Sequence, residues 1–238
     1  MIRIEHLSKS YGQIQALQDV NLNMSKGEVI SILGPNGAGK STLMRLICGY
    51  LSPTAGSVFI AGANVHTDTQ VALSNIGYVA ENCPLYQDMN VYEYIRYVAD
   101  LRQLKKAVFE YNLKNILYNL QLSDVITQRI DTLSKGYRHR VGIAGALIHG
   151  PQILILDEPT EGLDPNQKHQ IHKFIREYGR DKLVIVSTHI MEEVEAMSDR
   201  VVLINKGQII IDNTPQYLKQ LVPDNNIASA FRLLTGED

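Results

Sequence analysis

The chain has 238 residues, 45% of them hydrophobic and 20% charged, with a formal net charge of −2. That length suffices for one α/β domain with a sizeable core, and the balanced charge points away from a nucleic-acid partner. Two cysteines, Cys48 and Cys83, are too few for a disulfide framework or a cysteine metal site, and no apolar run approaches the roughly 18 residues of a membrane span.

Residues 1–7 alternate through Ile2 and Ile4 and predict a first strand, followed by a turn at Ser10-Tyr11-Gly12. Residues 16–24 alternate again. After the turn Ser25-Lys26-Gly27, residues 28–33 read as a buried strand, 34–42 as a glycine-rich loop, and 43–48 as a helix that stops at Gly49. A short strand is expected at 57–62, and another buried one at 76–80 ending in Glu81-Asn82. From Asn90 to about Leu122 the period becomes helical, with Val91, Tyr94, Ile95, Val98 and Leu101 on one stripe and Leu113, Ile116, Leu117 and Leu120 on a second. This predicts a helical insertion over about 84–150. Residues 152–156 are a near-continuous apolar strand of the kind buried on both faces, ending in Asp157-Glu158. A helix over 165–179 has Pro165 in its first turn. A buried strand over 183–187, a short helix over 190–197 and a hairpin over 200–211 follow. Thr214-Pro215 opens a further helix, and a last one is expected over 227–234. The reading is one domain over 1–238, with a short helical tail at about 214–238.

Three stretches carry chemistry. Gly34-Pro35-Asn36-Gly37-Ala38-Gly39-Lys40-Ser41-Thr42 fits G-x-x-x-x-G-K-[ST], set between a strand and a helix as a phosphate-binding loop requires. Its backbone N–H groups form an anion nest at a helix N-terminus. Lys40 is placed to reach the terminal phosphates, Ser41 to bind Mg²⁺, and Thr42 to donate to the α-phosphate. Asp157, 117 residues on from Lys40, is a strand-end carboxylate of the Mg²⁺-binding kind, expected to meet the loop from an adjacent parallel strand. Glu158 beside it can orient and polarise an attacking water.

The third stretch is Leu133-Ser134-Lys135-Gly136-Tyr137-Arg138. Here the sequence resembles the ATP-binding subunits of ABC transporters, whose signature L-S-G-G-Q opens a helix shortly before the strand ending in Asp-Glu. The resemblance extends over nearly the whole chain. It implies an α/β fold: a P-loop NTPase core, an N-terminal antiparallel β subdomain and an inserted α-helical subdomain. It implies that Tyr11 stacks on adenine, that Glu81 stands where the family usually has a glutamine, and that Gly162-Leu163-Asp164 matches the loop after Asp157-Glu158-Pro159-Thr160. His189, 31 residues after Glu158, matches the histidine that senses the γ-phosphate. The Ser-Lys-Gly-Tyr-Arg signature, Glu81 and the ending Phe231 to Gly236 look most like the branch serving drug, polysaccharide or gliding-type export.

The resemblance also implies a head-to-tail dimer sandwiching two ATP molecules, in which Ser134, Lys135 and Gly136 would clamp the γ-phosphate held by the partner. From one chain alone, Ser134 reads as an ordinary helix cap. Lys135 and Tyr137 depart from the family signature; the lysine either adds charge near the phosphates or lies in solvent. Glu81 binds Mg²⁺, directly or through water, or is an exposed loop carboxylate. The expected protein is a cytoplasmic ATPase on the inner face of the cell membrane, held there by a membrane-spanning permease and paired with a second ATPase subunit. The alternatives are a soluble ABC-type ATPase acting on ribosomes or DNA, and a regulatory module that senses ATP without turnover.

Overall fold

The computed structural model describes residues 1–236; Glu237 and Asp238, the end of the expected tail, lie outside the described residues. In chain order the strands are β1 (Ile2–Tyr11), β2 (Ile14–Met24), β3 (Glu28–Leu33), β4 (Ala55–Ile60), β5 (Ala63–Asn64), β6 (Ile76–Val79), β7 (Ile153–Asp157), β8 (Leu183–Thr188), β9 (Arg200–Asn205) and β10 (Gln208–Asn213). The α-helices are α1 (Lys40–Ile47), α2 (Thr69–Leu73), α3 (Val91–Leu101), α4 (Lys106–Asn119), α5 (Lys135–Leu147), α6 (Pro165–Gly179), α7 (Met191–Met197), α8 (Pro215–Gln220) and α9 (Ile227–Thr235).

The strands form two sheets. The first is antiparallel, in the order β2-β1-β4-β5. The second runs β10-β9-β3-β8-β7-β6 and is parallel except for the β9–β10 hairpin at its edge. The second sheet is covered on both faces, which is why its central strands are mostly apolar. All six residues of β8 and all five of β7 are buried. Period-2 alternation divides them between two cores. Ile30, Ile32, Ile153, Ile155 and Ile185 pack with α1 and the antiparallel sheet. Val29, Leu154, Leu156, Val184 and Val186 pack with α3, α5 and α6. A third, smaller core joins Leu33, Val201 and Leu203 to α7, α8 and α9.

Helical boundaries follow local chemistry. Asn90 accepts from the Glu93 N–H while the Glu93 carboxylate accepts from the Asn90 N–H, a reciprocal cap on α3. Asp164 and Thr214 cap α6 and α8, each with proline at the first helical position.

The structure adds to or departs from the sequence reading at four places. β1 continues to Tyr11, because Ser10 and Tyr11 pair with Gln15 and Ile14 in a tight hairpin whose turn is Gly12-Gln13. The helical stretch after Asn90 is two helices, broken where Gln103 takes φ 55°. α2 and β5 were not anticipated; both are too short to show a period. β3 and β7 are not adjacent: β8 lies between them. Residues 152–157 and 28–33 are equally apolar, so nothing in either marks a third strand in between.

Candidate nucleotide site

The loop after β3 and the N-terminus of α1 form one wall of an open cleft of about 430 Å³. Asn36 to Thr42 line it together with Ala16, Glu81, Glu158, Glu161 and His189. The loop's shape depends on glycine most at Gly39, which takes φ 113°; a Cβ there would lie 2.6 Å from the Ala16 carbonyl oxygen. No substituted residue fits both constraints. The Lys40 ammonium is buried and folds back over the loop, donating to the Gly34 carbonyl at 2.6 Å and the Pro35 carbonyl at 3.1 Å. Burial pushes its pKa down, while the charges of Glu158 and Asp157 pull it up. A cation thus stands at the mouth of an anion nest.

The opposite wall comes from the ends of β7 and β8. Asp157 is buried and accepts a hydrogen bond from the Ser187 hydroxyl. The same hydroxyl accepts from the Glu158 N–H at 3.1 Å. Ser187 therefore ties the two carboxylate residues to the neighbouring strand. Glu158 sits in the left-handed region at φ 50°, a conformation that costs a side-chain-bearing residue about 1–3 kcal/mol. Its carboxylate lies 2.8 Å from His189 Nδ1. Burial raises the Glu158 pKa, and the His189 hydrogen bond and the Lys40 charge oppose that rise. The arrangement offers an anion cradle, a fixed cation and a half-buried carboxylate paired with an imidazole. These are the parts needed to bind a polyphosphate and orient a water beside it.

Of the predicted site residues, the cleft unites Asn36 to Thr42, Glu81, Glu158 and His189, with Asp157 buried behind them. Gly34 and Pro35 enter through the carbonyls that hold Lys40. Tyr11, Ser134, Lys135, Gly136 and Asp164 do not line this chain's cleft. Tyr11 is exposed, with the Lys9 ammonium 5.2 Å from its ring centre. Ser134 caps α5 by accepting from the Tyr137 N–H at 3.3 Å. Asp164 caps α6 through the Asn166 and Gln167 N–H groups. Lys135 lies against Gly162, and Gly136 against the Gln167 side chain, so the start of α5 packs on the loop leading into α6.

Sequence reasoning missed Ala16 and Glu161 as lining residues. Ala16 is a small residue of β2 that belongs to no motif, so nothing in the sequence marks it. Glu161 reaches the cleft because its N–H turns back onto the Glu158 carbonyl at 3.2 Å. A larger cavity of about 520 Å³ lies between α4 and α6, but none of the loop residues reaches it.

Comparison with known proteins agrees with this geometry. The model of the ABC transporter family matches residues 17–161. The lantibiotic transport ATP-binding protein SrtF of Streptococcus pyogenes is 36% identical over 213 residues, covering 89% of this chain and 90% of that protein. The Nod factor export ATP-binding protein I of Rhizobium leguminosarum bv. viciae is 36% identical over 218 residues, covering 91% of this chain and 70% of its own length. Among solved structures, the dimeric ATP-binding cassette MJ0796, in a post-hydrolysis state bound to ADP and Pi, superposes with a TM-score of 0.79 at 26% identity, covering 90% of this chain and 98% of that one. The chain therefore belongs to the ABC transporter family, as an ATP-binding domain with the ABC ATPase fold.

Proposed function

We propose that this chain is the ATP-hydrolysing subunit of an exporter and that the cleft is its catalytic site. The observation that carries this reading is the Glu158–His189 pair, 2.8 Å apart, facing Lys40 and the phosphate loop across the cleft. In this reading Glu158 accepts a proton from the attacking water. His189 orients Glu158 and meets the γ-phosphate, and Lys40 with the loop amides balances the phosphate charge.

The donor set fits Mg²⁺. Ser41 and Glu81 line the cleft and Asp157 is buried behind it, and all three supply hard oxygen atoms. Mg²⁺ takes few protein ligands and keeps phosphate and water in its shell. When bound, the ion would neutralise charge on the transferred phosphoryl group. Ser41 and Asp157 would hold it, with Glu81 direct or through water.

Ser134, Lys135 and Gly136, remote from their own cleft, would serve the cleft of a second subunit in a head-to-tail dimer. Export follows the lantibiotic transport and Nod factor export relatives. No described helix is long and apolar enough to cross a membrane, so a separate membrane-spanning permease would carry the cargo and hold this subunit on the inner face of the cell membrane.

The test is Glu158→Gln. The variant should bind ATP and dimerise with ATP and Mg²⁺, and its turnover should fall roughly 100-fold or more. ATPase rate and size-exclusion chromatography read the two effects. Wild-type turnover in Glu158→Gln removes the assignment of the general base.

A further inference from the structure

Glu193, on the first turn of α7, stands between Glu192 and Glu195, both exposed. Glu193 is only 2% exposed, and its carboxylate is fully engaged. Oε1 accepts from the Thr160 hydroxyl at 2.5 Å and from the Lys168 ammonium at 3.1 Å. Oε2 accepts from the Thr188 hydroxyl at 3.0 Å. A buried carboxylate is costly unless its lone pairs are satisfied, and an apolar side chain would fill such a space with less penalty. The position of its donors supplies the reason for a charge here.

Thr160 lies two residues after Glu158, and Thr188 immediately precedes His189. Lys168 is on the helix that Asp164 caps. The Thr188 hydroxyl also accepts from the Ile190 N–H at 3.1 Å, so the turn that carries His189 closes around it. Because that hydroxyl donates to Glu193, its orientation is set by the buried carboxylate. On the other side, the Thr160 bond holds the end of the segment in which Glu158 takes its left-handed backbone. Each oxygen of one carboxylate thus faces one of the two loops whose side chains meet in the cleft. A glutamine cannot reproduce this. Its amide has one acceptor oxygen, and its NH₂ would meet the Lys168 ammonium or a hydroxyl that has to donate.

We propose that Glu193 is a positioning residue for the Glu158–His189 pair, setting the rate of ATP turnover and not the affinity for nucleotide. The proposal rests on the assignment of Glu158 and His189 made above. It requires that the loops lose register with each other when the carboxylate is altered, while the phosphate loop, which Glu193 does not touch, keeps its shape.

Steady-state kinetics and fluorescent-nucleotide binding on the full chain test this with Glu193→Gln, Thr188→Val, Thr188→Ser and Glu158→Gln, with Tm recorded for each. Glu193→Gln and Thr188→Val are expected to lower kcat roughly 10–100-fold. KM and nucleotide affinity should stay within about threefold of wild type. Thr188→Ser, which keeps the hydroxyl, should retain most of the wild-type kcat. If Glu193→Gln does not fold, the Thr188 pair decides alone. Wild-type kcat in Glu193→Gln and Thr188→Val, with Glu158→Gln inactive, overturns the proposal and leaves the catalytic site standing. Parallel loss of kcat, affinity and Tm, with no retention in Thr188→Ser, also overturns it and assigns the cluster to folding. Wild-type turnover in Glu158→Gln instead overturns the reading of the site on which the proposal depends.

Discussion

Glu158 is held in a backbone conformation that side chains avoid, and in a place that disfavours its charge. Both fit a carboxylate kept for proton transfer rather than for stability. The sign of its pH effect is fixed by its environment. Burial raises its pKa in the folded chain, with the His189 hydrogen bond as the main opposing influence. The folded state therefore holds the Glu158 proton more tightly than the unfolded state does. The cost of burial is absent below the ordinary glutamate pKa, grows as pH rises from there through the folded value, and is complete above it. A general base works only when ionised. The acid limb of kcat against pH is therefore expected to have its midpoint above the ordinary glutamate value of about 4.3. His189→Ala, which removes the opposing bond, should move the limb to higher pH in any turnover that remains. A midpoint at or below that ordinary value would separate Glu158 from the rate. At this scale the sequence was informative about which side chains the fold gathers: Lys40, Ser41, Glu158 and His189, far apart in the chain, line one cleft, with Asp157 buried behind them. It was silent where a small residue lines the cleft by position alone, as at Ala16, or where burial reverses the meaning of a residue type, as at Glu193.

The elements that build the cleft differ in their tolerance of change. Gly37 and Gly39 both have positive φ, at 80° and 113°, but their surroundings differ: a Cβ at Gly37 would meet nothing, whereas one at Gly39 would collide with the backbone of β2. Gly39→Ala is expected to cost about 2 kcal/mol or more, a Tm fall of roughly 4–8 °C, and to abolish tight nucleotide binding. Gly37→Ala should lose less on both counts. Thermal melts and nucleotide titration of the pair check this, and equal effects would mean that the contact with β2 does not shape the loop. The contact also marks a limit of sequence reading. The strand-loop-helix around Lys40 is a local pattern, visible in any 20-residue window. The strand order is not local. Whether β8 lies beside or between β3 and β7 depends on how crossovers pack, and both arrangements suit the same apolar strands. The helical stretch between β6 and β7 was legible from its period, but its division at Gln103 was not, because a single left-handed residue leaves no periodic trace.

For the molecule as a whole, the second sheet gathers the candidate groups at the C-terminal ends of its parallel strands β3, β7 and β8, while the two cores fix those strands from both faces. Two histidines in this packing bear on acid stability. His139 in α5 and His149 just beyond it are both held down to a pKa of about 4, chiefly by burial. His149 donates to the Ile76 carbonyl at 3.0 Å, and His139 Nε2 has no hydrogen-bond partner among the described residues. Both are neutral when folded and take a proton more readily when unfolded, near pH 6.5. The stability they permit is complete above that pH and is lost as pH falls from about 6.5 towards 4, on the order of a few kcal/mol for the two together. His139→Gln is expected to flatten the fall of the urea midpoint across that window, and an unchanged slope would remove His139 from the acid transition.

The turn between β9 and β10 also sets how the parts of the molecule stand relative to one another. The Gly207 N–H donates to the Ala38 carbonyl, and the Gly207 carbonyl accepts from the Gln18 N–H, at 2.9 and 2.8 Å. One residue thus stitches the phosphate loop to both sheets at once. A loop tied on both flanks is a benchmark in the surveyor's sense. Any displacement of the phosphate loop is therefore expected to carry the neighbouring end of β2 in the antiparallel sheet with it.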